Sequence, residues 1–372
     1  MSVTDREPIR APEHDETPRM GGEALLAEAA AAIPAARARL DAMMTDLFLP
    51  DAGRLSDFHR ATMTRLLARL IERIERAIRG HLAAAGPPPL DGMPGVDDAP
   101  VAAPRLARAG VLRDDELTAL LLRRAEEQRL GRLLASHTAR DRLPPVRLVD
   151  ELPDPLAAAM VDFLAVAARR HDAFHDLAAA DADLPADLYY RLVWWIAAAL
   201  RDHAISRGAI AVAAIDPPLA AAARAVLAGY DESETLEGRA MRLARALHAA
   251  GRLDDAAIAR LLAEGAVSLV VAALATRAGI AFSAAWDMAI DGAGSRLVVL
   301  LRAIDMARAS AADIVFRLAV AGGGDAADAA ARRIEAFAAL DPAEARAALM
   351  PWRLDEGYRR AIADLARGEA PR

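Results

Sequence analysis

The sequence predicts an all-α fold, and three observations carry that prediction. Alanine, leucine and arginine dominate while aromatic residues make up only 4% of the chain, which favours close-packed helices over a sheet of β-branched and aromatic side chains. Apolar residues recur at spacings of three and four, the period of one helix face. Proline and glycine gather in a few stretches that break this periodicity, above all "AAGPPPLDGMPGVDDAPVAAP" at Ala84 to Pro104. With 372 residues and 55% hydrophobic composition, the chain has apolar surface enough for more than one domain.

Residues 1–22 are polar, carry both charges and lack an apolar centre, so they read as a disordered tail and not as a secretion signal or transit peptide. Residues 23–84 read as a helical hairpin, its first helix broken at Pro34. In its second helix Met63, Leu67, Leu70, Ile74 and Ile78 share a face, with Ser56 placed to cap the start. Glu72 with Arg76 and Glu75 with Arg79 are spaced for ion pairs on the solvated side. A lone hairpin leaves one face uncovered. It needs either the body of the protein or a second copy, and the expectation here is a second copy, making the chain a homodimer. Residues 85–104 form the Pro/Gly-rich linker that would let this module stand apart.

Residues 105–321 are expected to stack as helical hairpins. "LRDDELTALLLRRAEEQRLGRLL" from Leu112 aligns without gaps to "LDDAAIARLLAEGAVSLVVAALA" from Leu253, with an acidic loop opening a helix in both. A shorter similarity matches Leu156, Met160, Phe163, Ala167 and His171 to Leu188, Leu192, Trp195, Ala199 and His203. Asp216 is placed as an N-cap before Pro217, and helices are predicted over 234–249, 254–264, 266–277, 282–290, 295–307 and 311–320. "AGGGD" at Ala321 to Asp325 is a second hinge, and residues 322–372 form a C-terminal helical region.

In the stretch Gly251 to Ala319, "LATRAGIAF", "IDGAGSRLVVLLRAIDM" and "SAADIVFRLA" carry a resemblance to the alphaproteobacterial family known as domain of unknown function 2336. The resemblance implies a HEAT-like helical array and brings no activity or catalytic residue with it. Ala293, Arg296 and Val298 stand where that family often has proline and phenylalanine.

Composition excludes much chemistry. The net charge of −7 offers no global basic field for nucleic acid, and no uninterrupted apolar run is long enough to span a bilayer. A cytoplasmic location is the default expectation. The chain contains neither cysteine nor lysine, which removes thiolate nucleophiles, Cys-ligated zinc, Schiff bases and the phosphate-loop lysine. No GxSxG occurs, and "GGG" and "GAG" follow no strand pattern. No cofactor is expected.

Three places could carry function. In "RRHDAFHD", His171 and His175 stand four apart, as two zinc ligands on a helix do. Taking about 100° per residue from Leu156, His171 falls near 60° and His175 near 100°, on the shoulder of the apolar stripe, while the aspartates face water. His203, at the far end of the next helix, would lie roughly 20 Å away if the helices are antiparallel. Asp181, Asp183 and Asp187 are the nearer completing ligands, and a metal-dependent hydrolase follows if the set closes. A polar helix edge is the plainer expectation. His59 in "SDFHRATM" is placed as an exposed first-turn histidine, the layout of a phosphotransfer module without its diagnostic sequence. Finally, Tyr190 and Trp194 project away from the stripe that buries Trp195, so they form either a second packed face or a contact surface for a protein partner. The expected function is regulatory or scaffolding protein interaction without catalysis.

Overall fold

The computed structural model describes residues 57–85, 94–137, 149, 151–171, 184–207, 212–290, 294–322, 326–355, 357–359, 361, 362 and 365. Among them all regular structure is helical. Helix α1 (Asp57–Ala84) buries Met63, Leu67, Ile71, Ile74 and Ile78, the face read from the sequence with Ile71 in place of Leu70. That face is filled from within the chain. Short α2 (Ala102–Ala109), α3 (Asp115–His137), α5 (Ala186–Ser206) and α6 (Val212–Ala228) all pack on α1. The reason for expecting a second copy was an unpaired face on this helix, and the chain pairs it itself. The first hairpin helix, Ser56 and the residues 1–22 lie outside the described residues.

These helices make a first core, with Leu117, Leu120 and Leu121 from α3, Leu188, Leu192, Ile196 and Leu200 from α5, and Leu219 and Ala223 from α6. Each such leucine or isoleucine contributes roughly 1.5–3 kcal/mol on leaving water. A second core gathers Leu130 and Leu134 of α3 with α4 (Asp154–His171), α7 (Leu236–Ala249), α8 (Asp255–Ala263) and α9 (Val267–Ala278). Beyond these come α10 (Phe282–Ala289), α11 (Ser295–Ala303), α12 (Arg308–Gly322), α13 (Ala326–Ala339) and α14 (Pro342–Ala348). Helix α3 therefore serves both cores. At about 100° per residue, Leu117, Leu121 and Ala125 point one way, and Leu130 and Leu134 nearly the opposite way.

The second core is built around α9, whose residues from Val267 to Ala275 are all buried. It meets α3, α7, α8, α10 and α11, so an apolar sequence with no polar face is accounted for by neighbours all round. No single described helix is long and apolar enough to cross a membrane; α9 and α10 pass together but are bent by 111°. Helix α3 also touches α8 and α12, so contacts reach past nearest neighbours in the stack.

Both acidic loops cap as the sequence implies: the Asp114 carboxylate accepts from Leu117 N at 2.9 Å, and Asp254 from Ala257 N at 2.7 Å. Helix α6 departs from expectation. It starts at Val212 and carries Pro217 and Pro218 inside it, so Asp216 is not its cap; the Asp216 carboxylate instead holds Arg201 at 2.6 Å. The boundaries of α11 also differ, because the helix stops at Ala303 and Asp305 takes a φ of 52° to turn the chain into α12.

Candidate functional site

Residues 94–101, expected to be a linker, are fastened to α1 by a polar clamp. Glu75 and Arg79, one turn apart, form a buried ion pair, whereas Glu72 and Arg76 pair in solvent as anticipated. Arg79 donates to the carbonyls of Gly95 at 3.2 Å, Asp98 at 2.9 Å and Ala99 at 3.2 Å. Glu75 accepts from Val101 N at 2.9 Å and Ala102 N at 3.0 Å, the amides of the N-cap and of the first residue of α2. The sequence reading set both pairs on the solvated side. It missed that α2 returns onto the Glu75 side of α1, and the only signal was the alternation of Ile74, Ile78 and this pair on adjacent columns.

The clamp sets α2 alongside the outer face of α5, and a groove of about 410 Å³ opens between them. Arg105, Arg108 and Val111 line one wall, and Trp195, Ala198 and Asp202 the other. Arg105 is held in place: it donates to Asp202 at 3.1 Å and to the Val101 carbonyl at 3.1 Å. Below the groove His203 is buried, with Nδ1 lacking a hydrogen-bond partner. Burial lowers its pKa, and Arg105, Arg207 and Arg79 lower it further against the opposing pull of Glu75.

On a neighbouring side of α5, about 90–130° round the helix from the groove lining, Tyr190 is 55% exposed and meets Trp194 edge-on at 6.1 Å between ring centres. Trp194 is half-buried against the first core and its indole N–H is buried without a partner. Trp195, placed by the sequence on the buried stripe, is instead half-buried and lines the groove, with the Arg191 guanidinium 6.0 Å from its ring centre. The difference arises because α5 is covered by α1, α2 and α6, so no single stripe separates inside from outside. Arg191 is fixed by Asp114 at 2.8 Å and by Glu116.

The other two candidates fare differently. His59 is not an open first-turn residue: its Nε2 lies 2.8 Å from Glu126 Oε1 and its side chain is only 16% exposed. Packing of the first turn of α1 on α3 encloses it, with Arg129 bonded to the same carboxylate at 2.8 Å. His175, Asp181 and Asp183 lie outside the described residues, as does the side chain of His171; Asp187 is exposed in the first turn of α5. Among the described residues no group of three or more histidines and carboxylates is placed to hold a metal ion.

Residues 155–350, from α4 through α14, match the family described as an uncharacterised protein conserved in bacteria, domain of unknown function 2336. No curated protein and no solved structure matches the chain. The match takes in α5 but not α2, so the groove has one wall inside the family region and one before it. As the match covers more than half of its length, the chain belongs to the domain of unknown function 2336 family.

Proposed function

We propose that the protein is a non-catalytic scaffold or regulator that docks a protein partner on the outer face of α5 and the adjoining groove. The observation that supports this reading is the gathering of Trp195, Arg105 and Arg108 around one groove, with the Tyr190–Trp194 pair on the neighbouring side of α5, in a chain with few aromatics. Aromatic and arginine side chains dominate binding energy at protein interfaces because they bury large area at low entropic cost. The face is also rigid. The buried clamp and the Asp202 bond fix α2 and Arg105, so little ordering entropy remains to oppose binding.

The helical array beyond the groove then acts as the frame that positions it, with HEAT-like stacking as part of this reading. Self-association belongs to it only through a surface other than the buried face of α1. Co-purification from the native cell with the wild-type chain and with Ala198→Gln tests the reading, because Ala198 is exposed and its enlargement obstructs the groove without touching a core. A partner recovered with the wild type and lost with the variant is the expected result. Equal recovery of every partner by both chains overturns it.

A further inference from the structure

We propose that the occupant of the α2–α5 groove is an acidic amphipathic helix of a partner protein. The inference rests on the reading of this face as a docking surface and adds the chemistry of what docks. Charge carries the first part of the argument. Among the described residues Asp202 is the one carboxylate lining the groove, and Arg105 already answers it at 3.1 Å. Arg108, one turn further along α2, is exposed and makes no ion pair among the described residues. The outstanding charge of the groove is therefore positive, within a chain whose net charge is −7. A carboxylate is the group that an exposed guanidinium receives most specifically, through two parallel hydrogen bonds.

Shape carries the second part. Ala109, Ala198 and Ala199 keep the floor low, and Trp195 supplies a flat apolar wall. An apolar helix face fits such a trough by laying side chains at spacings of three and four along it. An extended peptide gains its affinity from main-chain hydrogen bonds to a sheet edge, and the described residues contain no strand to offer one. A helix satisfies its own backbone and needs from the groove only apolar area and charge.

The test pans a display library of randomised helical peptides on the full chain and measures the enriched sequences by fluorescence polarisation. Expected are Asp or Glu on one flank of the apolar face, affinity that falls with salt, and a loss of about tenfold for Arg108→Glu. Peptides with arginine exchanged for that acid regain affinity for Arg108→Glu, while Arg245→Glu, on an exposed face of α7, leaves binding unchanged. Neutral or basic enriched sequences, or an Arg108→Glu chain that binds acidic peptides as well as wild type, overturn the acidic chemistry. If Ala198→Gln selects the same peptides at the same affinity, the docking reading itself falls, whatever their charge.

Discussion

Glu264, at the C-cap of α8, has one carboxylate oxygen buried without a hydrogen-bond partner, and burial pushes its pKa up from 4.5 to about 7. Arg260 pulls it down and Glu151 adds to the rise. Between these values the folded chain keeps a proton that the unfolded chain has released, so stability falls as pH rises through that window. Glu264→Gln should flatten that slope and stabilise the protein at pH 8 by on the order of 1 kcal/mol, discounted because the group is half exposed, with no gain at pH 4. Urea unfolding at both pH values checks this. His203 acts in the opposite sense: its lowered pKa gives a stability that is full above the ordinary imidazole value and is lost as pH falls through the folded one. The Glu75–Arg79 pair gives a further prediction. Arg79→Met leaves a buried carboxylate with two amide donors and no cation, and should cost about 3 kcal/mol, whereas Arg76→Met on the exposed pair should cost under about 0.5 kcal/mol. The two pairs are indistinguishable in sequence spacing. What separates them is which side of α1 the next segment returns to, a tertiary fact that local periodicity does not encode.

Among the elements, the starts of α3 and α8 were legible from their acidic loops, where Asp114 and Asp254 accept an amide from the first turn at 2.9 and 2.7 Å; the caps that Thr235 gives α7 at 3.0 Å and Asp341 gives α14 were not singled out. The Pro217 start was misjudged because a proline that suits a first turn is also carried inside α6, which begins at Val212. Helix ends were less legible, since many are closed from a distance. Arg353 donates to the Ala278 carbonyl of α9 at 3.1 Å, Arg302 to Leu340 at 2.7 Å, Arg277 to Ile304 at 3.0 Å, and Arg129 to Ala321 at 2.6 Å. In a chain without lysine, guanidinium groups take this C-terminal role across helices. Gly238, in the first turn of α7, shows how closely elements approach: an added Cβ would lie 2.7 Å from the carbonyl oxygens of Glu232 and Ser233. Both are backbone atoms that cannot swing aside, so Gly238→Ala should cost more than about 2 kcal/mol in a thermal melt, whereas the unobstructed Gly80→Ala, inside α1, should gain about 0.5–1 kcal/mol. Removing α1 and α2 is a larger test of the same kind. A chain beginning after Gly110 loses the cover of Leu117, Leu121, Leu192 and Ile196, and circular dichroism with light scattering should show lost helix and aggregation, not a folded monomer.

At the scale of the molecule, the all-α class followed directly from composition and period, while the partition into two cores did not. Helix α3 was readable as a helix from Asp115 onward, yet its opposed apolar faces, Leu117 with Leu121 and Leu130 with Leu134, blur the single stripe by which a helix declares its partner. The candidate surface was half legible: Tyr190 is exposed, one of the two readings left open for it, Trp195 rather than Trp194 lines the groove, and Arg105 and Arg108 arrive from the start of the stretch read as stacked helical hairpins. Shared α3 ties the cores together, so their unfolding should be coupled. Calorimetry should give one transition, and Leu134→Ala should lower the melting of both cores as seen by Trp195 and Trp286 fluorescence. The most direct test of partner docking at the α2–α5 face is photo-cross-linking in the native cell, with a benzophenone side chain placed at position 198 or, as a control, at position 245. The docking account predicts a defined protein adduct from position 198 that disappears when Arg108→Glu is added, and none from position 245. No adduct from position 198, or the same adducts from both positions, would contradict it.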